Sequence, residues 1–126
     1  MATFNGDEGN NTIVGGSDND LIQGFGGNDF LQGGGGADTV LGGTGNDAVD
    51  GNDGNDSVEG GAGNDTLTGG GGTDSFVFRE AGAANADVVT DFASNWDDIR
   101  LDAAGFAAIG ATGRFAAGDV TELRAR

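Results

Sequence analysis

Side chains with metal-binding oxygens recur at a spacing of nine residues in this 126-residue chain. The series is Asn11, Asp20, Asp29, Asp38, Asp47, Asp56, Asp65 and Asp74. Carboxylate and carbonyl oxygens select a hard cation, and flexible coordination by about six to eight of them favours Ca²⁺ over Mg²⁺. The chain has no His and no Cys, which are the usual ligands of zinc and copper. The series therefore predicts a run of calcium ligands.

These residues are the sixth places of eight contiguous nine-residue units that run from Gly6 to Val77. The first place is Gly in every unit, and the fourth is Gly in every unit except the second, which has Asp18. The eighth place is always aliphatic or Phe, as Ile13, Ile22, Leu31, Val40, Val49, Val58, Leu67 and Phe76. A fixed period of this kind is the signature of a repeat architecture, and it governs the interpretation of the rest of the chain.

Each unit divides into a turn and a strand. Gly at the first and fourth places permits a positive φ, and Asn at the fifth place of six units tolerates it, as does Asp18. The last three residues form a short strand whose middle side chain, at the eighth place, points to an interior. Two units then close a flattened coil of 18 residues, and successive coils pair as parallel strands about 4.8 Å apart. The pattern predicts an all-β parallel β-roll, a form of β-solenoid.

Stacked coils bring the sixth-place carboxylates together, odd units on one edge and even units on the other. Ionised carboxylates at this separation repel strongly unless a cation lies between them. Pairing units two apart gives up to about six calcium sites between turns. Sites that involve Asn11 should be the weakest, because a neutral amide replaces a carboxylate there.

The repeats resemble those of the repeats-in-toxin (RTX), or haemolysin-type calcium-binding, family of right-handed parallel β-rolls. The resemblance implies that each sixth-place Asp bridges two calcium ions and that turn carbonyls complete each ligand shell. Carried over by position, the turn ligands are Gly24, Gly26, Gly33, Gly34, Gly35, Gly36, Gly42, Gly43, Thr44, Gly45, Gly51, Asn52, Asp53, Gly54, Gly61, Gly63, Gly70 and Gly72. Asp7, Phe25 and Asn52 depart from the Gly expected at the second place, so their turns should differ.

The period ends after Val77, which divides the chain into a β-roll over residues 1–78 and a C-terminal β capping segment over residues 79–126. Residues 76–78, 87–92 and 97–101 resemble the short strands that follow the roll in secreted proteases and alginate epimerases of the family. There the segment belongs to the type I secretion target region.

A solenoid needs an atypical last unit to cover its final apolar coil. Candidates for this cover are Phe78, Val89, Phe92, Trp96, Ile99 and Leu101. Asp87, Asp91 and Asp97 form a candidate for one further calcium site, although solvation at the surface is the favoured interpretation.

Charge restricts the possible partners. The chain has 21 acidic and 5 basic residues, a net charge of -16, and its basic residues are all arginines at position 79 or later. Nucleic acid and anionic membrane surfaces are excluded as partners, because they require clustered basic side chains. Without metal the array should be disordered, since its charge is high and its apolar content low. The sequence shows no apolar run long enough for a membrane span and no signal-peptide pattern at its start.

Enzyme activity is not expected, because the chain has no His or Cys, no HExxH or GxSxG motif and no Lys for a phosphate loop. Three other functions remain. The first is a calcium-binding module of a type I secreted protein that folds on binding Ca²⁺ outside the cell. The second is a carbohydrate-binding or adhesive module, attached to an extracellular enzyme or cell surface, that binds an extracellular polysaccharide; only Phe25 and Phe30 are outward aromatic candidates, and edge packing is their favoured role. The third is ice binding, which the missing threonine row at the third places argues against.

Overall fold

A computed structural model describes residues 1–78, 87–92 and 97–101, which form short strands joined by turns. The strands are β1 (Thr3–Asn5), β2 (Thr12–Val14), β3 (Leu21–Gln23), β4 (Phe30–Gln32), β5 (Thr39–Thr44), β6 (Ala48–Asp50), β7 (Ser57–Ala62), β8 (Thr66–Thr68), β9 (Ser75–Phe78), β10 (Val88–Val89) and β11 (Asp98–Leu101). No helix in these three ranges could cross a membrane.

The strands alternate between two parallel sheets, as the period predicted. One sheet has the order β1-β3-β5-β7-β9-β11, and the other has the order β10-β8-β6-β4-β2. Within the array, paired residues lie 18 positions apart, for example Ile22 with Val40 and Leu31 with Val49. The all-β parallel solenoid with an 18-residue coil is therefore confirmed.

Both ends of the solenoid carry strands outside the eight units. At the start, β1 pairs with β3, a strand that the sequence did not predict because residues 2–5 are only the last four places of a unit. At the other end, β10 pairs with β8 and β11 with β9, so these segments continue both sheets. Most of the cap predicted over residues 79–126 lies outside the described residues.

The eighth-place side chains fill the interior between the sheets. Those that are buried are Ile22, Leu31, Val40, Val49, Val58, Leu67 and Phe76, together with Phe78 and Val89. Phe4, Ile13, Phe92 and Ile99 are partly buried and pack against this core. The Phe92 ring lies 6.4 Å from the Phe76 ring, centroid to centroid, at an interplanar angle of 59°. Phe78, Val89, Phe92 and Ile99 thus pack in or against the core, and the role of their segment as a cap stays a prediction. Trp96 and the Leu101 side chain lie outside what the structure describes.

The turns use glycine differently from the prediction. In units three to eight, positive φ falls at the second and fourth places and not at the first. Phe25 (φ 75°) and Asn52 (φ 71°) have a positive φ at the second place like the glycines of the other later units. The prediction that the turns of these two units differ is therefore wrong for their backbone conformation. Asp18 does not have a positive φ. First-place Gly is needed for space, because a Cβ on Gly33 would lie 2.5 Å from Asp38 Oδ2 and 2.6 Å from the carbonyl oxygen of Gly51.

Asparagine at the fifth place links neighbouring coils and does not adopt a positive φ. The Oδ1 of Asn28 accepts a hydrogen bond from the backbone N–H of Asn46 (2.8 Å), and Asn46 Oδ1 accepts one from Asn64 N–H (2.9 Å). Each side chain thus reaches forward by 18 residues. Coil stacking, rather than backbone permissiveness, explains the fifth-place Asn.

We predict that Gly54→Ala destabilises the folded roll and that Gly71→Ala does not. Gly54 has a φ of 122°, and a Cβ there would clash with the carbonyl of Gly36. A methyl group added at Gly71 would have Asp53 Oδ1 as its nearest neighbour, at 3.6 Å. Thermal unfolding followed by circular dichroism at saturating Ca²⁺ should show a loss of about 1–3 kcal/mol for Gly54→Ala. Equal unfolding temperatures for the two variants would contradict this interpretation of the turns.

Candidate metal centre

The sixth-place carboxylates lie inside the solenoid, close to its two edges. Each is exposed by 3 % or less, and they are Asp20, Asp29, Asp38, Asp47, Asp56, Asp65 and Asp74. Asn11, at the open end, is half-buried. Each carboxylate precedes its core residue by two positions, so the strand that buries the eighth place also fixes the sixth.

One oxygen of each carboxylate holds neighbouring coils together. Asp38 Oδ1 accepts a hydrogen bond from the backbone N–H of Asp20 (2.7 Å), and Asp47 Oδ1 accepts one from that of Asp29 (2.8 Å). The same bond recurs from Asp20, which binds Ala2 N–H, to Asp74, which binds Asp56 N–H. These bonds form a carboxylate ladder in which every side chain reaches back to the preceding coil.

The ladder extends into the segment after the repeats. Asp87 Oδ1 accepts from Asp65 N–H and Asp97 Oδ1 accepts from Asp74 N–H, both at 2.9 Å. Asp87 and Asp97 are exposed by only 4 % and 7 %. Surface solvation is therefore the wrong interpretation for these two residues. The signal that identifies them is an Asp two positions before Val89 and Ile99, the same offset as in the repeats.

The second carboxylate oxygen of most units has no hydrogen-bond partner. This holds for Oδ2 of Asp29, Asp38, Asp47, Asp56, Asp65 and Asp74, all of which are buried. A buried anionic oxygen without a partner is costly, so it calls for a positive charge nearby. These oxygens are the strongest structural indication of a cation site.

A backbone carbonyl from the next coil meets each of four of these oxygens. At Gly42, the position of an absent Cβ lies 2.6 Å from Asp47 Oδ2 and 2.5 Å from the carbonyl oxygen of Gly60. The four carboxylate–carbonyl pairs are Asp29 with Gly42, Asp38 with Gly51, Asp47 with Gly60, and Asp56 with Gly69. An ion could not lie at the Cβ position itself, which is one bond from the Gly Cα, but the pair shows that a carbonyl acceptor lies near each of these unpartnered carboxylate oxygens, and oxygens of both kinds suit a hard cation. Gly60 and Gly69 are not among the turn ligands predicted from the sequence, although the first-place period contains them.

Within the part of the chain that the structure describes, the carboxylate–carbonyl pairs do not bring three or more acidic side chains together. Among residues 1–78, 87–92 and 97–101, no group of three or more Asp and Glu side chains converges on one point. The reason is that Oδ1 of each stacked Asp is already bonded to a backbone N–H. A cation here would therefore depend on carbonyl oxygens as much as on carboxylates.

The first two units differ from the others. Asn11 Oδ1 accepts a hydrogen bond from Asp7 N–H (2.8 Å), and Asp20 Oδ2 accepts one from Gly16 N–H (2.9 Å). Neither donor has a positive φ. In later units the second-place N–H can turn to the next coil instead, as Gly34 N–H does toward Asn52 Oδ1 (3.1 Å). In the first two units, a backbone N–H thus donates a hydrogen bond to the side-chain oxygen whose equivalent in later units has no partner.

The other turn residues lie in stacked rows along the two edges. The carbonyls of Gly34 and Asn52 accept hydrogen bonds from the N–H groups of Asp53 and Gly71, and a carbonyl oxygen has a second lone pair for another partner. Third-place Gly26, Gly35, Thr44 and Asp53 and fourth-place Gly36, Gly45, Gly54, Gly63 and Gly72 occupy the same edges. So do second-place Gly43, Gly61 and Gly70. Their role as ligands stays a prediction.

The pKa values of the sixth-place carboxylates differ between the second unit and later units. Burial raises the pKa of Asp47 to about 6, that of Asp56 to about 7 and that of Asp65 to about 8, and neighbouring carboxylates add to the shift. In the second unit, the N–H groups of Gly16 and Ala2 lower the pKa of Asp20. Carboxylates in the middle and end of the array are therefore the ones that lack a compensating charge.

A known protein-family profile matches the repeats. The profile described as RTX calcium-binding nonapeptide repeat (4 copies) matches residues 5–40 and again residues 41–76, together more than half of the chain. A search of curated proteins found no match.

The raised pKa values predict that acid favours the metal-free roll. A carboxyl with a higher pKa in the folded than in the unfolded chain binds protons more tightly when folded, so its stabilising effect is lost as pH rises through the folded value. For Asp47, Asp56 and Asp65 this window extends from the ordinary value of 3.8 up to about 8. In metal-free buffer, the β-sheet signal in circular dichroism should be larger at about pH 5 than at about pH 8.5.

The same protons compete with calcium for the same oxygens. The Ca²⁺ concentration at half-saturation of the roll, measured as bound calcium and not as folding, should therefore rise between about pH 8 and about pH 5. Sedimentation velocity at each pH distinguishes folding from aggregation. A midpoint that is independent of pH would show that the buried carboxylates are not the calcium-binding groups.

Proposed function

The chain belongs to the family of RTX calcium-binding nonapeptide repeats, and we propose that it is the calcium-binding module of a type I secreted protein, folding on binding Ca²⁺ outside the cell. The observation that supports this proposal best is the row of buried, unpartnered Asp Oδ2 atoms from Asp29 to Asp74. Their position inside the coil exists only once the coil has formed. Binding at these oxygens and folding are consequently coupled.

The proposal includes a specific set of sites within the array, which the carboxylate–carbonyl pairs support. We assign one Ca²⁺ to each of the four carboxylate–carbonyl pairs, two on each edge of the solenoid. The gaps at Asn11 and Asp20 are left out, because backbone N–H groups already satisfy those oxygens. This gives four sites in place of the six that the spacing alone allows. Bound calcium would supply the positive charge that the first 78 residues lack.

If folding depends on a cation, the module would fold outside the cell and not inside it. Without cation, the acidic array repels itself and offers little apolar surface to offset the entropy of the chain. Extracellular calcium modules are tuned to about 10⁻⁴–10⁻³ M, well above cytosolic levels. The chain would thus stay extended for transport through a type I secretion system and become rigid after export.

A polysaccharide-binding role has one supporting observation. Phe25 and Phe30 belong to the same coil and remain 43 % and 44 % exposed, which argues against edge packing as their role. In register with Phe30 on the outer face of its sheet lie the uncharged residues Thr12, Ala48 and Thr66. Aromatic rings on an uncharged face suit stacking against sugar rings.

We expect Phe30→Ala to weaken retention of the folded module on a polysaccharide affinity gel if this second role holds. Phe25→Ala should do the same, whereas Val14→Ala, which removes another exposed apolar side chain from the same sheet as Phe30, serves as the control. If the polysaccharide retards Phe30→Ala and Phe25→Ala as much as the unchanged chain, or retards none of the proteins, the carbohydrate-binding role is contradicted.

We expect the chain to be largely disordered in excess chelator and to become rich in β-structure with a cooperative dependence on Ca²⁺. Circular dichroism and hydrodynamic radius across a calcium titration provide the measurement. A compact species that persists unchanged in chelator would contradict calcium-dependent folding.

The site assignment predicts different effects for two matched charge removals. Asp47→Asn keeps an oxygen for Asp29 N–H but removes the unpartnered charged oxygen, so the folded protein should bind one ion fewer and need at least about threefold more Ca²⁺ to fold. Asp20→Asn should leave the ion count unchanged. Native mass spectrometry counts the ions. Loss of an ion in both variants, or in neither, would refute the division between the first two units and the rest.

A further inference from the structure

One sixth-place carboxylate faces an unusual neighbour at the C-terminal end of the solenoid. Asp74 is only 1 % exposed, and its Oδ2 has no hydrogen-bond partner. In the four assigned sites, such an oxygen meets the carbonyl of a first-place Gly from the next coil of the same edge. After Asp74, the corresponding first-place residue is not Gly.

The register of β10 identifies that residue as Asp91. Val88 pairs with Thr66 and Val89 with Leu67, so Val88 and Val89 occupy the seventh and eighth places and Thr90 the ninth. Asp91 therefore follows at the first place, where all eight units have Gly. An acidic side chain replaces a hydrogen atom at this position.

Hydrogen bonds hold the Asp91 carboxylate against the last turn of the repeats. Its Oδ1 accepts from Gly69 N–H (2.9 Å) and its Oδ2 from Gly70 N–H (2.7 Å). Asp74 Oδ2 lies against the Cα of the same Gly69, in the space that a Cβ would fill. The two carboxylates thus flank one glycine, and each oxygen of Asp91 has a further lone pair free.

Their charges interact. Burial is the main cause that raises the pKa of Asp74, and the negative charges of Asp97 and Asp91 raise it further. Asp97 is held by its own bond to Asp74 N–H. Among residues 1–78, 87–92 and 97–101, the one basic side chain is that of Arg100 on β11.

We propose that Asp74 and Asp91 form a terminal Ca²⁺ site, which fills before the four sites within the array and fastens β10 to the end of the roll. This inference rests on the proposed calcium-dependent folding of the module. Two carboxylates flank Gly69 at this site, whereas at each assigned pair one carboxylate oxygen and one carbonyl oxygen lie nearest the first-place Gly, and calcium affinity increases with the number of charged ligands. Its position between the last repeat turn and the following coil makes it the joint between roll and cap.

The test compares the full chain with three variants, each of which removes one negative charge. Asp91→Asn removes the charge of the new ligand, and Asp74→Asn removes that of the buried one while leaving an oxygen for Asp56 N–H. Asp98→Asn is the control, because the Asp98 side chain is exposed on β11. Native mass spectrometry counts bound Ca²⁺, and circular dichroism verifies folding at saturating calcium.

Terbium luminescence provides the local readout. The only Trp, Trp96, lies five residues after Asp91 in the sequence and sensitises Tb³⁺ bound nearby. In the unchanged chain, sensitised emission should rise at lower Tb³⁺ than the circular dichroism change and be displaced by Ca²⁺. Asp91→Asn and Asp74→Asn should each bind one Ca²⁺ fewer and lose this early emission, with at least a tenfold weaker midpoint, on the order expected for one charged ligand. Asp98→Asn should behave as the unchanged chain.

The outcomes separate this site from the function on which it rests. If Asp91→Asn keeps both the ion count and the early emission while the unchanged chain folds with Ca²⁺, the terminal site is refuted and the calcium-folding module stands. If the unchanged chain neither binds Ca²⁺ nor folds with it, both fall. Should Asp91→Asn fail to fold, Asp74→Asn decides, and an unchanged ion count in that variant overturns the inference.

Discussion

The different roles of the two carboxylate oxygens in the sixth-place residues from Asp29 to Asp74 are the constraint on which the rest of the structure depends. Oδ1 accepts a backbone N–H from the coil before, which fixes the spacing and register of the coils. The same packing of coils buries Oδ2, which has no hydrogen-bond donor. If a carboxylate served only to link coils, backbone N–H groups could donate hydrogen bonds to both of its oxygens. A carboxylate that also buries an unmatched negative oxygen is costly when ionised, and this cost is the basis of the proposed dependence of folding on a cation.

Much of this arrangement follows from the sequence because one period governs all levels of it. Nine residues with Gly first and an aliphatic residue eighth are sufficient to predict the two sheets, the 18-residue register and core residues such as Val40 and Val58. The carboxylate positions follow from the same period. What the sequence could not supply was the choice of oxygen, because Oδ1 and Oδ2 differ only through contacts between coils.

The wrong predictions about the turns also concern contacts between coils. Positive φ was expected at the first place, yet it falls at the second, where the N–H of Gly34 points to Asn52 of the next coil. Phe25 keeps that conformation in spite of its side chain, so stacking outweighs the intrinsic preference of the residue. The ladder partners Asp87 and Asp97 were missed for a different reason. The connections before them are longer than in the repeats, which hides the nine-residue spacing while the sheet register persists.

The 18-residue register has a consequence for how such arrays change in length. Insertion or deletion of two adjacent units adds or removes a whole coil, so every later strand stays in its own sheet. A change of a single unit would instead move every later strand, including β10 and β11, to the opposite sheet, and would move Asp91 to the opposite edge. Duplication in the gene should therefore preserve the junction between the repeats and the following segment when it copies units in pairs, and disturb it when it copies one alone.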